Sequence, residues 1–331
     1  MIPLPENMRA IVVDRTGDSS VLRYAENEPL PRPSSSEVLI KNVLAGVNYI
    51  DVYYRSGLYQ YAHGCPMILG QECVGTIIRT PDPLPYGLRE GDEVIWMHRG
   101  GYAEYSAVPV EHVVKLPSNV PKELALASYL SGLTALVLVK ESFQVKKGQV
   151  ALVHAAAGSV GLLLCRLLKH YGVKVIGTAS TEEKCSLARE NGTDFVVNYK
   201  EGSDWIEEVK KIVSEGSDVV YDSVGASTWK GSLEVVKKKG TVVFFGNSSG
   251  PVPPFDIQRL AQKNIKITRA APLYILDGRS DLEDYAGDLF DLLRAGVLQP
   301  RIHKIYDLKD VQQAHKDIEG RSTMGKTLLK L

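Results

Sequence analysis

The sequence predicts an α/β protein in which a doubly wound parallel sheet, with helices on both faces, is joined to a second, β-rich domain. Three observations predict it. Between Arg9 and Gly101 the segments are short, rich in Val and Ile, and broken by Pro and Gly, which is an all-β pattern. From Gln149 onward, apolar strands alternate strictly with amphipathic helices, as a parallel sheet requires. Where the first of those strands meets the first helix, the chain reads V-A-L-V-H-A-A-A-G-S-V-G over residues 150–161.

In the β-rich part, residues 9–13, 37–47, 72–80 and 92–96 read as strands, with P-R-P-S-S-S and P-D-P-L-P as exposed loops. After Pro121 come two helical stretches, 122–129 and 133–141. Strand 150–154 leads into a helix over 159–171, which Gly172 caps. Strand 174–178, helix 181–190 ended by Asn191-Gly192, strand 195–198, helix 203–214, strand 218–222, helix 227–238 and strand 241–246 complete the alternation. Residues 284–331 hold a helix, a break at Pro300 and a closing strand over 326–330 that returns to the β-rich domain. The expected domains are therefore 1–128 plus 272–331, β-rich, and 129–271, built on the parallel sheet.

A chain of 331 residues suffices for two such domains, and 44% hydrophobic with 24% charged residues is an ordinary globular balance. Formal net charge is zero and the pI about 7.1, so no global field draws the chain to nucleic acid or an anionic membrane. The four cysteines, Cys65, Cys73, Cys165 and Cys185, form neither a C-x-x-C motif nor a paired framework. The N-terminus is short, broken by Pro and followed by charge, unlike a signal peptide, and no run of about 18 apolar residues exists, so no membrane span is expected. The expected location is the reducing cytoplasm.

Ala155, Gly158 and Gly161 fall three apart, so the backbone can turn sharply after the strand and approach a pyrophosphate closely. The phosphates would lie on the helix N-terminus, where unpaired N–H groups and the dipole favour an anion. A glycine turn of this kind also serves simply to pack a strand against a helix. About 20 residues past the glycines, where an acidic residue ordinarily binds ribose hydroxyls, stand Thr178, Ala179, Ser180 and Thr181, with Lys184 one helical turn on. Small hydroxyl side chains and a cation accept a 2′-phosphate that a carboxylate would repel, so NADPH is expected over NADH. Glu182 and Glu183 leave a plain solvated role open for Lys184.

Further motifs occur in a fixed order: A-G-V-N-Y-I-D-V-Y-Y-R-S-G-L-Y (45–59), G-Q-E-C-V-G (70–75), G-G-Y-A-E-Y (100–105), S-G-L-T-A (131–135) and F-G-N-S-S-G (245–250). Together with the glycine loop they resemble the medium-chain dehydrogenase/reductase superfamily, and within it the quinone oxidoreductases of the zeta-crystallin type. The resemblance covers essentially the whole chain. It implies a Rossmann-type NADPH-binding domain and a β-rich GroES-like catalytic domain, with the reaction in the cleft between them. Asn48 and Tyr53 would lie beside the nicotinamide and the substrate, with Tyr59 flanking the cofactor and the cleft mouth. Thr134 would reach the nicotinamide end, and Gly158, Ser159, Val160 and Gly161 would line the pyrophosphate. Ser180, Lys184 and Tyr199 would meet the adenosine 2′-phosphate and its surroundings. Phe245, Gly246, Asn247 and Ser248 would run along the nicotinamide half, and Arg321 would contact the cofactor's phosphate region. Relatives often carry a third glycine where Ser159 stands; a serine still offers its N–H. Taken without the resemblance, Tyr53 and Tyr59 also read as core aromatics, Asn48 as a turn cap, Tyr199 as a packing residue and Arg321 as a surface charge.

Zinc-dependent members of the superfamily hold their metal with a Cys and a His at the positions of Asn48 and Gln71. Amides bind zinc poorly, and no cluster of four cysteines exists, so no metal is expected. His63 with Cys65 and Cys73 is the best alternative ligand set. Without a Lewis acid, a quinone or an enone, which spreads incoming charge, is an easier acceptor than a simple ketone. Tyr53, Asn48 or water could hydrogen-bond the reduced oxygen; His154 reads as a packing residue or one bound to backbone.

The expected function is thus zinc-independent, NADPH-dependent quinone reduction, with semiquinones as one open route. NADPH-dependent alkenal or enone double-bond reduction is the rival within enzymes. AU-rich RNA binding, known in some relatives, and a structural crystallin-like role are the rivals outside enzymes. The basic run 237–239 reads as a solvated helix end. The strands T-V-V-F-F-G and I-K-I-T-R-A, within residues 240–270, suggest a homodimer paired across a sheet edge.

Overall fold

In the computed structural model of the protein, described over residues 4–61, 63–80, 85–200, 204–276 and 278–331, the chain forms two units. The first is Met1–Leu130 with Asp277–Phe290 and Arg301–Leu331; the second is Ser131–Leu276 with Asp291–Pro300. In the first unit, chain order is β1 (Asn7–Val13), β2 (Leu22–Pro29), β3 (Glu37–Val47), α1 (Tyr49–Ser56), β4 (Met67–Ile68), β5 (Cys73–Arg79), β6 (Glu93–Trp96), β7 (Tyr105–Pro109) and β8 (Val113–Lys115). Helix α2 (Lys122–Val137) carries the chain onward.

The second unit holds β9 (Val150–Val153), α3 (Ser159–His170), β10 (Lys174–Ala179), α4 (Glu182–Glu190), β11 (Phe195–Asn198), α5 (Trp205–Ile212), β12 (Ser217–Asp222), α6 (Trp229–Val235), β13 (Val236–Phe244), β14 (Lys266–Arg269) and the short α7 (Pro272–Ile275). Then follow α8 (Arg279–Arg294), β15 (Ile302–Asp307), α9 (Val311–Glu319) and β16 (Lys326–Lys330).

The first unit is built on a three-stranded sheet, β2-β1-β4, and a seven-stranded sheet, β15-β16-β3-β5-β6-β8, in which β7 also pairs with β3. The long strand β3 is the spine, pairing antiparallel with β5, β7 and β16. Its Val38 and Ile40 enter a core with Ile11, Leu69, Trp96 and Leu329. Inside that core the Trp96 indole N–H donates to Asn42 Oδ1 at 3.0 Å, so a large aromatic is buried with its polar edge satisfied. Helix α1 ends at Gly57, whose φ of 81° is a left-handed stop. Its Arg55, 1% exposed, makes a two-pronged ion pair with Glu319 of α9 at 2.7 and 2.8 Å.

The second unit is a parallel sheet of order β11-β10-β9-β12-β13-β14. Strand order reverses between β9 and β12, the switch point at which such sheets open a crevice beyond the strand carboxyl ends. Leu152, Ile176, Val220 and Val242 from four neighbouring strands fill the core. Buried on both faces, these strands are apolar runs rather than alternating ones, which is why the sequence shows them clearly.

Four expectations change. The two stretches after Pro121 are one helix, α2, followed by a wider π-helical turn at Leu138–Ser142. Ser131-Gly132 does not break it, because both residues are buried and a helical glycine costs only about 1 kcal/mol. That stretch, Lys122–Ser142, is long and apolar enough to cross a membrane, against the expectation of no such run; 78% of its most apolar part is buried in the protein, as in a core helix. The helix expected over 227–238 ends at Val235, and β13 starts at once because Val236 is buried and pairs with Ser217 of β12. Lys237, Lys238 and Lys239 therefore lie in a strand rather than at a helix end, and Lys237 pairs with Asp218 at 2.5 Å. Strands β2, β4, β7, β8 and β15 and helices α1, α7 and α9 go beyond the elements read from the sequence; most of the P-D-P-L-P loop lies outside the described residues.

Leu152→Ala in β9, a fully buried site, should cost about 2–5 kcal/mol of unfolding free energy. Urea titration should show a lower midpoint with an unchanged slope.

Candidate functional site

In the second unit the turn after β9 is built on backbone. Ala155 adopts φ 53°, and Gly158 N–H returns to Ala155 O at 2.9 Å. A Cβ at Gly161 would stand 2.3 Å from Ala155 O, and one at Gly158 3.2 Å from the same atom, so the first turn of α3 can approach the loop only without side chains there. Gly158 is the N-cap of α3 and supplies no side-chain cap, which leaves the first-turn N–H groups for an anion. Ser159 and Val160, half-buried, complete that turn.

Ser180 follows β10, 6% exposed. Thr181 caps α4 by accepting the Lys184 N–H at 3.3 Å, which sets Lys184 in the helix's first turn. Tyr199 follows β11, with its N–H on Ala179 O at 3.1 Å. Ser180, Lys184 and Tyr199 thus gather at the carboxyl ends of β10 and β11, with no carboxylate ending β10 itself. Phe245, Gly246, Asn247 and Ser248 leave β13 beside the loop leaving β12. Phe245 N–H binds Asp222 O at 2.9 Å and Ser248 N–H binds Ser223 O at 3.2 Å. A Cβ on Gly246 would lie 2.5 Å from Ser223 O, so glycine permits that approach. Asp222 organises the neighbouring loop, accepting from the Val224 and Gly225 N–H groups at 2.8 and 3.0 Å and from Ser232 Oγ at 2.7 Å. His154, buried, lies between the hydroxyls of Thr178 and Ser232, each 3.1 Å away. Its partners are side chains rather than backbone, and burial holds its imidazole below its ordinary pKa. Thr134 is on α2, buried. These residues fit a dinucleotide: a side-chain-free turn at a helix N-terminus, at the strand carboxyl ends.

In the first unit Asn48 is the N-cap of α1, and the Asp51 carboxylate accepts its backbone N–H at 2.8 Å. The turn-cap reading is therefore right for its backbone, but its side chain turns elsewhere. Asn48 Nδ2 donates to Glu72 Oε1 at 2.9 Å and Asn48 Oδ1 accepts from Lys326 Nζ at 2.5 Å. Lys326 and Glu72 are ion-paired, their side chains 1% and 0% exposed. Tyr53 is buried and its ring lies 5.0 Å from that of Tyr59, which packs against the core. Arg321 is exposed in the loop after α9, at φ 56°. Gln71 is buried with Nε2 lacking a protein partner. Among the described residues no three His, Cys, Asp or Glu side chains are grouped to hold a metal. Cys65 is exposed while Cys73 is buried, its thiol donating to Gly101 O at 3.0 Å.

Sequence reading passed over Glu72, Lys326 and Asp51. The one available signal was charge inside apolar stretches, as in E-C-V-G and K-T-L-L. Asp51 is fully buried, its Oδ1 unpartnered and its Oδ2 accepting from Tyr102 Oη at 2.8 Å. Burial pushes its carboxyl up to about 7, against the opposing pull of the Tyr102 and Asn48 hydrogen bonds and of Lys326. His315, 3.4 Å from Tyr102 Oη and 3.2 Å from Arg55, is driven down to about 3 by burial and then by Arg55.

Two family models match: the alcohol dehydrogenase GroES-like domain over residues 34–118 and the zinc-binding dehydrogenase over 159–285. A quinone oxidoreductase of Salmonella typhimurium is 36% identical over 319 residues, 95% of this chain and 96% of that protein. The 2-haloacrylate reductase of a Burkholderia species is 32% identical, covering 90% and 91%. The crystal structure of Escherichia coli quinone oxidoreductase complexed with NADPH superposes with a TM-score of 0.93 at 35% identity, covering 98% of this chain and 100% of that one. Rossmann-type parallel sheet and GroES-like β domain together define a medium-chain dehydrogenase/reductase, an oxidoreductase. Within that superfamily the chain belongs to the quinone oxidoreductase family, in the zinc-free branch.

Because the folded-state pKa of Asp51 is raised from 3.8 to about 7, its contribution to stability is whole below 3.8 and lost as pH rises through 7. Unfolding by urea from pH 4 to 8 should therefore show the stability of the wild type falling relative to Asp51→Asn. His315 is common to both proteins and cancels; a pH-independent difference would contradict the assignment.

Proposed function

We propose that this protein reduces quinones with NADPH and that the residues gathered above form its site. The observation that carries this reading is full-length similarity to quinone oxidoreductases combined with a hydroxyl-and-cation set, Ser180, Lys184 and Tyr199, where an acidic residue would repel a 2′-phosphate. When bound, NADPH supplies the hydride. The N-terminus of α3, over Gly158, Ser159, Val160 and Gly161, would hold the pyrophosphate, and Ser180, Lys184 and Tyr199 the 2′-phosphate. Thr134 and Phe245–Ser248 would orient the nicotinamide half, and Arg321 would neutralise phosphate charge. Asn48, Tyr53 and Tyr59 would position nicotinamide and acceptor, with a Tyr53 or water proton completing the hydroquinone. Amides at positions 48 and 71 suit a quinone, whose conjugated ring spreads the incoming charge.

Similarity to the 2-haloacrylate reductase supports a second reading, hydride transfer to an activated alkene. Initial rates of NADPH and NADH oxidation with an ortho-quinone, a para-quinone and an alkenal decide between them. Quinone turnover supports the first reading, and turnover of the alkenal alone reassigns the enzyme. Lys184→Ala should raise KM for NADPH about 10- to 100-fold, the equivalent of one charge-assisted hydrogen bond, and leave KM for NADH nearly unchanged. Equal effects on both cofactors would remove Lys184 from the 2′-phosphate site.

A homodimer is part of the same proposal. Strand β14 is the last in its sheet, and its Ile267 is 40% exposed, a free edge that a second copy could extend. Ile267→Lys should shift the sedimentation coefficient from dimer to monomer. A cytosolic location belongs to the same proposal and is supported by the cysteine spacing of the sequence.

A further inference from the structure

We infer that Lys326 is a positioning residue of the active site, acting through Asn48. The inference rests on the placement of Asn48 in the cofactor site proposed above. Lys326 opens β16, 1% exposed, and its ammonium reaches two buried groups, Asn48 Oδ1 at 2.5 Å and Glu72 Oε1. Glu72 Oε1 also accepts Asn48 Nδ2 at 2.9 Å, and Glu72 Oε2 accepts the Leu130 N–H at 2.8 Å.

An ammonium only donates and a carboxylate only accepts, so these neighbours admit one orientation of the Asn48 amide: oxygen toward Lys326, nitrogen toward Glu72. Nδ2 gains a second acceptor in Gly46 O at 3.3 Å. The backbone is shaped around the carboxylate, since a Cβ on Gly46 would stand 2.3 Å from Glu72 Oε1. Lys326 therefore does two separable things. It compensates a buried negative charge, and it selects the amide face that Asn48 presents. A lysine kept only for the first task would be dispensable once Glu72 is neutral.

The test is a double-mutant cycle in the full-length protein, with kcat/KM for quinone reduction, NADPH dissociation constants from fluorescence titration, and melting temperatures for each variant. Asn48→Ala and Lys326→Met should each lower kcat/KM about tenfold or more, and the double variant N48A/K326M should fall within about twofold of N48A alone. E72Q/K326M, with no unpaired buried charge, should regain the melting temperature while kcat/KM stays low; it carries the comparison if K326M does not fold. Additive losses in N48A/K326M overturn the inference, as does recovery of kcat/KM in E72Q/K326M, since either makes Lys326 a charge partner alone. Unchanged constants, NADPH affinity included, in N48A would instead overturn the placement of Asn48 on which the inference rests.

Discussion

A fully buried carboxylate, Glu72, is the constraint around which the first unit is arranged. A charge without water must find partners for each oxygen, and the desolvation it suffers is recovered only with good geometry. Its partners come from three segments distant in sequence: the start of α1 through Asn48, helix α2 through the Leu130 N–H, and the final strand β16 through Lys326. Lys326 lies 254 positions away along the chain. The return of the C-terminal strand to β3 therefore completes more than a sheet; it supplies the cation that pairs with the buried carboxylate. Pairs of this kind are weak evidence for stability but strong evidence for geometry, because each atom tolerates few arrangements.

The neighbouring network extends the same logic into titratable chemistry. Asp51 shares Asn48 through the backbone and Tyr102 through its hydroxyl, and Tyr102 in turn meets His315 beside the Arg55–Glu319 pair. Burial dominates both shifted groups and acts with opposite sign, raising the Asp51 carboxyl and lowering the His315 imidazole, so each is drawn toward its neutral form. The second unit is organised differently. Its elements meet at a helix N-terminus and at glycines whose missing Cβ atoms let backbones touch, so partial charges of N–H groups take the role that full charges hold in the first unit.

The second unit was the more legible from sequence. Its strands are buried on both faces and its helices are amphipathic, so the change of period is written in consecutive residues: β11 begins and ends where the pattern placed it, and β9, β10 and β12 fall within one residue of it. The glycine loop was legible because φ and close approach are local demands that only certain residues meet. Errors arose where the signal is tertiary. Val236 is apolar in either a helix or a strand, and only its pairing with Ser217 makes it strand, carrying Lys237–Lys239 with it. The stretches 122–129 and 133–141 read as two helices, yet buried Ser131-Gly132 lets the helix run through.

Composition, periodicity and motif spacing alone determined the α/β class, the alternation of the parallel sheet, the phosphate-type turn at Gly158–Gly161, the hydroxyl-and-cation set after β10 and the amides at positions 48 and 71. Each of these is local, satisfied within a few residues or one element. Tertiary structure alone decided that the Asn48 side chain faces Glu72 and Lys326, that Asp51 is buried beside it, and that the Tyr53 and Tyr59 rings meet at a tilt of 56°. The physical reason is that a buried charge chooses its partner by proximity in space, and a sequence records charges without recording which of them will be deprived of water together.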